Sequence, residues 1–457
     1  MKIENLVKKK NIRVNTKDIK KGDIFVCTTG MMDKNDFIPD AIKKGCSLVV
    51  TDKDINQTIK HLKVCNIDEY LRYLLDMKYD YPLDNVNLIG ITGTDGKTTT
   101  ATIIKDMLLG AYIGTNGVRY NNLYIDTNNT TPSIDYLFEY FKIFKDHNVK
   151  NVVMEVSSES YLTKRIPTLS FSVGVFLNIS YEHLDKHRTF DNYLDCKKEL
   201  LRNSNIKIIN KDSKYFDKII EGLDNYLTFG KKKSDLRIKK YQILEDKTDI
   251  TFVYKKKEYN VFSPLIGEYN IYNLAAAILT LLSLNYSMDD IIERINNIKV
   301  IPGRMEHFYI NNKHIVIDYA HTIKATNEVL KFMDLFHHKK IITVLGCAGG
   351  RYQEKRPLIG KIVLKYSKKV IFTMDDPRNE DVKKIIKEMI SNSKKKNYEI
   401  ITNREEAIKR AIAIANDDDL VLILGKGRDN YMIIGDDKIP YSDIDVLENM
   451  KKSYSSD

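Results

Sequence analysis

No apolar run in this chain approaches the roughly 18 residues that a membrane-spanning helix needs, which excludes a helical membrane protein. The opening segment, MKIENLVKKK, is charged and has no apolar centre, so no signal peptide is expected and the cytoplasm is the expected location. Cysteine is scarce: Cys27, Cys46, Cys65, Cys196 and Cys347 are scattered and form no CxxC pair. That excludes a disulfide framework and a zinc ribbon and leaves reduced thiols. No internal repeat and no long low-complexity linker is visible. The net charge of +11 comes without a nucleic-acid-binding motif, and the lysine triplets at 8–10, 231–233 and 394–396 lie far apart. It reads as a lysine-rich solvated surface, so no nucleic-acid partner is expected.

What is present points to a soluble globular chain of several domains. At 457 residues, 43% hydrophobic and 30% charged, the chain exceeds one ordinary core. Residues 1–85 hold short strand-like runs (DIFVC, SLVVTD) and close on the turn-prone DYPLDN. A strand, VNLIGIT, then runs into a glycine turn and a helix in which Ile103, Ile104, Met107 and Leu108 recur at helical spacing. NVVMEV and FSVGVFLNIS (171–180) read as further buried strands. From about 304 the alternation restarts with HIVIDYA, KIITVLGC, KKVIFTMD, EIIT and DLVLILG, separated by amphipathic stretches such as EDVKKIIKEMISNSK. The expected fold is therefore three consecutive α/β domains, over 1–85, 86–302 and 303–457. The central one carries a P-loop-type, mostly parallel sheet and the last is Rossmann-like.

The strongest chemical signal is GITGTDGKTTT, residues 90–100. A glycine turn between strand and helix exposes backbone N–H groups at a helix N-terminus, which suits a polyphosphate. Lys97 would reach the terminal phosphates and Thr98 would bind Mg²⁺. The strict GxxxxGK[ST] spacing is not met, because Ile91 stands where the first glycine would fall. Glu155 closes a buried strand at the edge where open parallel sheets bind ligands. Taken alone it is as readily a solvated acid as a cation ligand.

GTDGKTT, MEVSSESYLTKR (154–165), NISYEHLDKHRTFDNYLDCKKELL (178–201), GEYNIYNLAAA (267–277), GRMEHF, DYAHT, GCAGGRYQEKRP, DDPR and GKGRDNY follow one another in order. The set resembles the Mur ligase family, which forms amide bonds on cell-wall precursors at the expense of ATP. The resemblance implies an ATP site at Gly93, Thr94, Asp95, Gly96, Lys97, Thr98 and Thr99, with Asn270, Asn273, Arg304, Asp318 and His321. It implies Mg²⁺ held by Thr98, Glu155, His183 and Lys197, the last as a carbamate formed with CO₂. Lys97, Lys197, His183 and Glu155 are then the catalytic set. A lysine that reacts this way must be partly desolvated, so that its amine is neutral often enough.

The muramoyl-peptide substrate would lie against Asn129, Thr130, Thr131, Ser157 and Arg165, and the incoming amino acid against Arg351, Asp376, Arg378, Gly425 and Asp429. The motif combination is most similar to the members that add a third residue to UDP-MurNAc-L-Ala-D-Glu, acting as a monomer. Arg378 favours meso-diaminopimelate, whose distal carboxylate an arginine fork holds, over L-lysine. The alternatives are the same reaction with lysine, or a paralogue resembling folylpolyglutamate synthase or cyanophycin synthetase with another acceptor. A nucleotide-binding protein without catalysis is the rival outside enzymes. The chain departs from the family at Glu182, where aspartate is usual, at Glu159, where histidine is usual, and at Arg428–Asp429 in place of His-Glu.

Overall fold

The structure is a computed structural model that describes all residues except 1–2, 29, 31–32, 128, 245–246, 297, 299–300, 337–339 and 455–457. Four parallel strands, Ile12–Arg13, Ile24–Val26, Leu48–Thr51 and His61–Lys63, form the first sheet. The central sheet has eleven strands. Its parallel heart runs, in spatial order, Tyr226–Gly230, Ser204–Asn210, Phe171–Phe176, Asn87–Thr92, Asn151–Glu155 and Ala111–Gly114. The strand Asn87–Thr92 is buried almost throughout, as the apolar run NLIGIT requires.

From Asn87–Thr92 the chain first crosses to strands on one side and later, with Phe171–Phe176, to the other. The two neighbours pair in register as Ile91 with Glu155 and Ile91 with Val175. This reversal of strand order opens a crevice at the carboxyl ends of the strands, where α/β sheets bind ligands. Helices Lys97–Leu108 and Glu268–Ser283 pack together over one face; the second uses Ala275, Ala276 and Ala277 to lie close. On the other face a single hydrophobic cluster joins Leu71, Leu74 and Leu75 to Phe138, Phe141 and Met154. The first sheet and the central sheet thus share a core across residue 85.

Three antiparallel strands, Leu236–Ile243, Thr248–Tyr254 and Lys257–Ser263, extend one edge of the central sheet, and a hairpin over 117–125 extends the other. Apolar residues alternate with polar and charged ones along most of these edge strands, which hid them from the pattern of buried runs. The run expected to continue as strand to residue 180 ends at Phe176, because Asn178 turns to the phosphate loop.

The last sheet has six strands, ordered Glu306–Ile310, Lys313–Asp318, Leu420–Leu424, Ile341–Leu345, Lys369–Phe372 and Tyr398–Ile400, all parallel but the first. Helices Ile323–Phe336, Lys355–Tyr366 and Val382–Ile390 cover one face. Helices Arg404–Ile414 and Asp443–Tyr454 cover the other. Among the described residues no helix is long and apolar enough to cross a membrane.

Candidate active site

A cleft of about 1190 Å³ separates the carboxyl ends of the central strands from those of the last sheet. Thr94, Asp95, Gly96, Lys97, Thr98, Thr99, Asn129, Thr130, Glu155, Ser157, Arg165, His183 and Asn273 line it from the central side. Arg304, Asp318, His321, Arg351, Asp376, Arg378, Gly425 and Asp429 line it from the other. Four expected site residues stand behind the wall instead: Gly93, Thr131, Lys197 and Asn270.

The phosphate loop is built from both sides. Gly96 has φ +85°, and a Cβ there would lie 2.6 Å from Asn273 Oδ1, so only glycine fits. The same Asn273 oxygen accepts from Thr100 (3.2 Å), while its amide donates to Asn270 (3.0 Å). From the next strand, Asn178 Oδ1 accepts from the Thr94 and Asp95 N–H groups at 3.1 and 3.0 Å, and its Nδ2 donates to Asp95 O at 3.0 Å. Reading the sequence assigned Asn178 no role. Its only signal there is an amide placed just past a buried strand.

Two lysines meet at one carbonyl. Lys97 Nζ donates to Gly93 O (2.9 Å) and Thr94 O (3.0 Å), and Lys197 Nζ donates to the same Gly93 O at 2.8 Å. Lys197 is 2% exposed and lies 4.8 Å over the Tyr193 ring. Burial, then the charge of Lys97, drives its pKa well below the usual lysine range; burial also lowers Lys97. Glu155 is fully buried and accepts from the Thr115 N–H (3.0 Å) and the Tyr112 hydroxyl, which aim its carboxylate at the cleft. His183 sits in the left-handed region at φ 58° and is held neutral, first by burial and then by Lys197 and Lys97. Among the described residues no three His, Cys, Asp or Glu side chains are placed to hold a metal by themselves.

Beside Glu155, the Thr131 hydroxyl donates to Glu155 O (2.9 Å) and accepts from the Ser157 N–H (2.9 Å). Arg165 donates to Thr131 O (3.0 Å), and the Thr130 hydroxyl pairs with that of Thr115 (3.1 Å). Thr131 therefore shapes this wall from within, and Asn129, Thr130, Ser157 and Arg165 face the cleft.

The opposite wall closes onto the loop. Thr322 donates to Asp95 Oδ1 (3.1 Å), and Lys355 pairs with Glu182 at 2.7 Å with both side chains buried. Arg304 lies 4.4 Å over the Tyr319 ring with one Nη 3.4 Å from the Thr98 hydroxyl. Both Asp318 oxygens are taken by backbone, from Met305 and Ala320 at 2.8 Å each, so this carboxylate braces the linker that carries Arg304. The His321 Nδ1 lies 2.8 Å from Tyr319 O, and burial pushes the imidazole down to about 3.

Further along, Arg351 lies 3.9 Å from Glu159 and 3.7 Å from Asp185. Arg378 adopts φ 50° and donates to Gly349 O at 2.8 Å. Lys426, fully buried, is 2.8 Å from Asp376, 3.8 Å from Asp375 and 3.9 Å from Asp429. Burial raises the Asp429 carboxyl to about 7. Lys426 and Asp375 lie within the GKGRDNY and DDPR motifs, but neither was assigned a role from sequence, because their pairing arises only where the loops meet.

Residues 91–281 match the Mur ligase middle domain, and residues 303–427 match the Mur ligase, glutamate ligase domain. Over 460 residues the chain is 36% identical to the UDP-N-acetylmuramoyl-L-alanyl-D-glutamate–2,6-diaminopimelate ligase of Clostridium perfringens, spanning 96% of this chain and 94% of that one. The chain belongs to the Mur ligase family. The enzyme of the same name from Aquifex aeolicus is 35% identical to this Mur ligase over 451 residues, 96% of this chain and 93% of the relative. A solved structure of that name superposes with a TM-score of 0.66 over 97% of this chain and 95% of its own, at 24% identity. The likeness in fold thus extends N-terminal to the two matched domains.

The clamp on the phosphate loop yields a prediction. Asn178→Ala leaves the Asp95 N–H and carbonyl without their side-chain partner, while the Thr94 N–H keeps the main-chain oxygen of residue 178, so the loop should loosen at Asp95. Calorimetric titration with ADP is expected to show binding weakened on the order of tenfold, with an unchanged circular dichroism spectrum. Wild-type affinity in the variant would show that the glycines alone shape the loop.

Proposed function

We propose that this Mur ligase joins meso-diaminopimelate to the terminal carboxyl of UDP-MurNAc-L-Ala-D-Glu, consuming ATP and releasing ADP and phosphate. The observation that carries the reading is the polarity of one cleft. A phosphate loop with the half-buried Lys97 stands on its central wall, backed by the buried Lys197, and an arginine beside a carboxylate cluster stands on the facing wall. Residues 1–85 would hold the uridine nucleotide, 86–302 ATP and 303–457 the amino acid. The full-length match to curated relatives, with the first domain included, favours this acceptor over that of a folylpolyglutamate-synthase-like paralogue. All the groups named lie in one chain, so a monomer suffices, and we place it in the cytoplasm.

ATP would sit with its phosphates on the Gly93–Thr99 loop, Asn270 and Asn273 behind it, and Arg304 and His321 opposite. Asp318 would act by bracing Arg304. A carboxylate oxygen of the precursor attacks the γ-phosphorus and ADP leaves; Lys97 offsets the charge that builds on the transferring group. The amine of the amino acid then attacks the acyl carbon of the resulting acyl phosphate, and phosphate leaves with the attacking oxygen. Asn129, Thr130, Ser157 and Arg165 would position the precursor, and closure keeps water from the acyl phosphate.

The donor set fits Mg²⁺ arriving with the nucleotide: the Thr98 hydroxyl, the Glu155 carboxylate, the neutral His183 and, once carboxylated, Lys197. When bound, Mg²⁺ supplies charge neutralisation at the phosphates. Lys197 is desolvated as carbamate formation requires, and the change from cation to anion relieves its repulsion with Lys97.

Arg378 would hold the distal carboxylate of diaminopimelate, with Arg351 on a second carboxylate. Asp429 and Asp376, beside Gly425, would face an ammonium. Lysine offers no distal carboxylate and brings an ammonium towards the arginine, so the arginine rejects it as well.

Two outcomes are expected. In an ADP-release assay with UDP-MurNAc-L-Ala-D-Glu and a panel of amino acids, meso-diaminopimelate should be preferred over L-lysine, and Arg378→Ala should narrow or reverse the preference. Equal use of lysine by the wild type would remove the amino-acid assignment and leave the ligase reading standing. Lys197→Ala should be nearly inactive and should regain part of its turnover with added short carboxylic acids. An active alanine variant would dismiss the carbamate.

A further inference from the structure

One fully buried ion pair lies outside the cleft and has no part in the chemistry described above. Arg404, at the start of helix Arg404–Ile414, and Asp443, at the start of helix Asp443–Tyr454, have side chains with no exposure at all. The pair is bidentate, Nε to Oδ1 and Nη2 to Oδ2, both at 2.8 Å. The guanidinium also donates outward. Nη2 reaches Leu424 O at 3.0 Å, and Nη1 reaches Met374 O at 3.3 Å. Asp443 Oδ1 accepts in turn from the Tyr441 hydroxyl at 2.9 Å.

The two carbonyls are informative by position. Met374 immediately precedes Asp375, Asp376 and Arg378; Leu424 immediately precedes Gly425, Lys426 and Asp429. The guanidinium therefore ties together the roots of the two loops that form the facing wall. Those loops also touch just beyond their roots: a Cβ on Gly425, at φ +111°, would lie 2.7 Å from Asp375 Oδ2. Lys426 Nζ, from one loop, reaches Asp376 on the other. With the roots and the residues next to them tied, a small shift of one root moves the carboxylate cluster. A buried ion pair is costly to desolvate and seldom justified by stability alone. Here its hydrogen bonds leave the pair and end on functional loops.

We propose that Arg404, aligned by Asp443 and Tyr441, is a positioning residue for the amino-acid substrate, setting the distance between the Asp375–Arg378 and Gly425–Asp429 loops. This rests on the proposed placement of the amino acid at those loops. Sites of this kind tolerate displacements of only about 0.5 Å, so a lost root contact should be read out at the amino acid and not at the nucleotide.

The experiment is steady-state kinetics on the full chain, titrating ATP, the UDP-linked precursor and whichever amino acid the wild type incorporates. Arg404→Lys keeps the charge and loses the fork. It should raise the amino-acid KM about tenfold, with the other two KM values within about twofold and kcat largely kept. Asp443→Asn should give a smaller rise and Tyr441→Phe, the mildest change and the safest for folding, the smallest. Unchanged amino-acid KM in folded variants, or a parallel rise of all three KM values, would overturn the proposal in favour of a purely structural pair. The wild type's choice of amino acid and the Arg378→Ala result report on the placement itself, so failure there is distinguishable from failure of the positioning role.

Discussion

The carbonyl of Gly93 receives two ammonium groups, from the half-buried Lys97 at the cleft and the buried Lys197 behind it, and most of the site follows from that arrangement. Like charges at one acceptor, away from water, repel strongly and are poorly solvated. The depressed pKa values of both lysines express the strain. An anion relieves it, either a polyphosphate on the loop or a carboxylate made of Lys197 itself. The loop must then be rigid enough to hold the two amines together, which is the work of Asn178 on one side and Asn273 on the other. Across the cleft the sign reverses. Asp375, Asp376 and Asp429 surround a single buried cation, Lys426. One wall thus attracts phosphate and the other an ammonium, the polarity needed to bring an amine to a phosphorylated carboxyl.

Closure depends on the same loop. Thr322 reaches Asp95, Arg304 approaches Thr98, and the Lys355–Glu182 pair is buried where the two domains meet. Burying an ion pair between domains is favourable only when its partners are well placed, so the contact reports a specific approach of the domains. Glu182 is one methylene longer than aspartate, and its carboxylate meets Lys355 directly. The interface is polar, which suits domains that open and close around substrates.

What the sequence revealed and what it hid divide along a physical line. The Gly93–Thr99 loop was legible because its parts are contiguous and its geometry is local. The choice of Lys197 comes from the resemblance alone, and its neighbour Lys198 is also a lysine. The fold gives that choice a cause: Lys197 lies one helical turn from Tyr193 and points at Gly93, whereas Lys198 donates to Lys218 O and Glu221 O on the far side. Asn178, Asp375 and Lys426 stand in the motifs of the resemblance, but their roles, like that of Arg404, stayed hidden because each acts on a partner distant in sequence. Thr131 was read as touching substrate, yet it is fully buried and braces Glu155 and Ser157. The parallel cores were visible as apolar runs; the antiparallel strands of 236–263 were not, since their apolar residues are interleaved with polar and charged ones.

The account turns on phosphoryl transfer to the precursor's carboxylate, and following the carboxylate oxygens tests it most directly. With UDP-MurNAc-L-Ala-D-Glu labelled by oxygen-18 in the terminal carboxyl, mass spectrometry of the released inorganic phosphate should find one labelled oxygen per molecule, in step with amide formation. Phosphate released with only ordinary oxygen while the amide forms would contradict the acyl-phosphate route and the role given to the lysine pair.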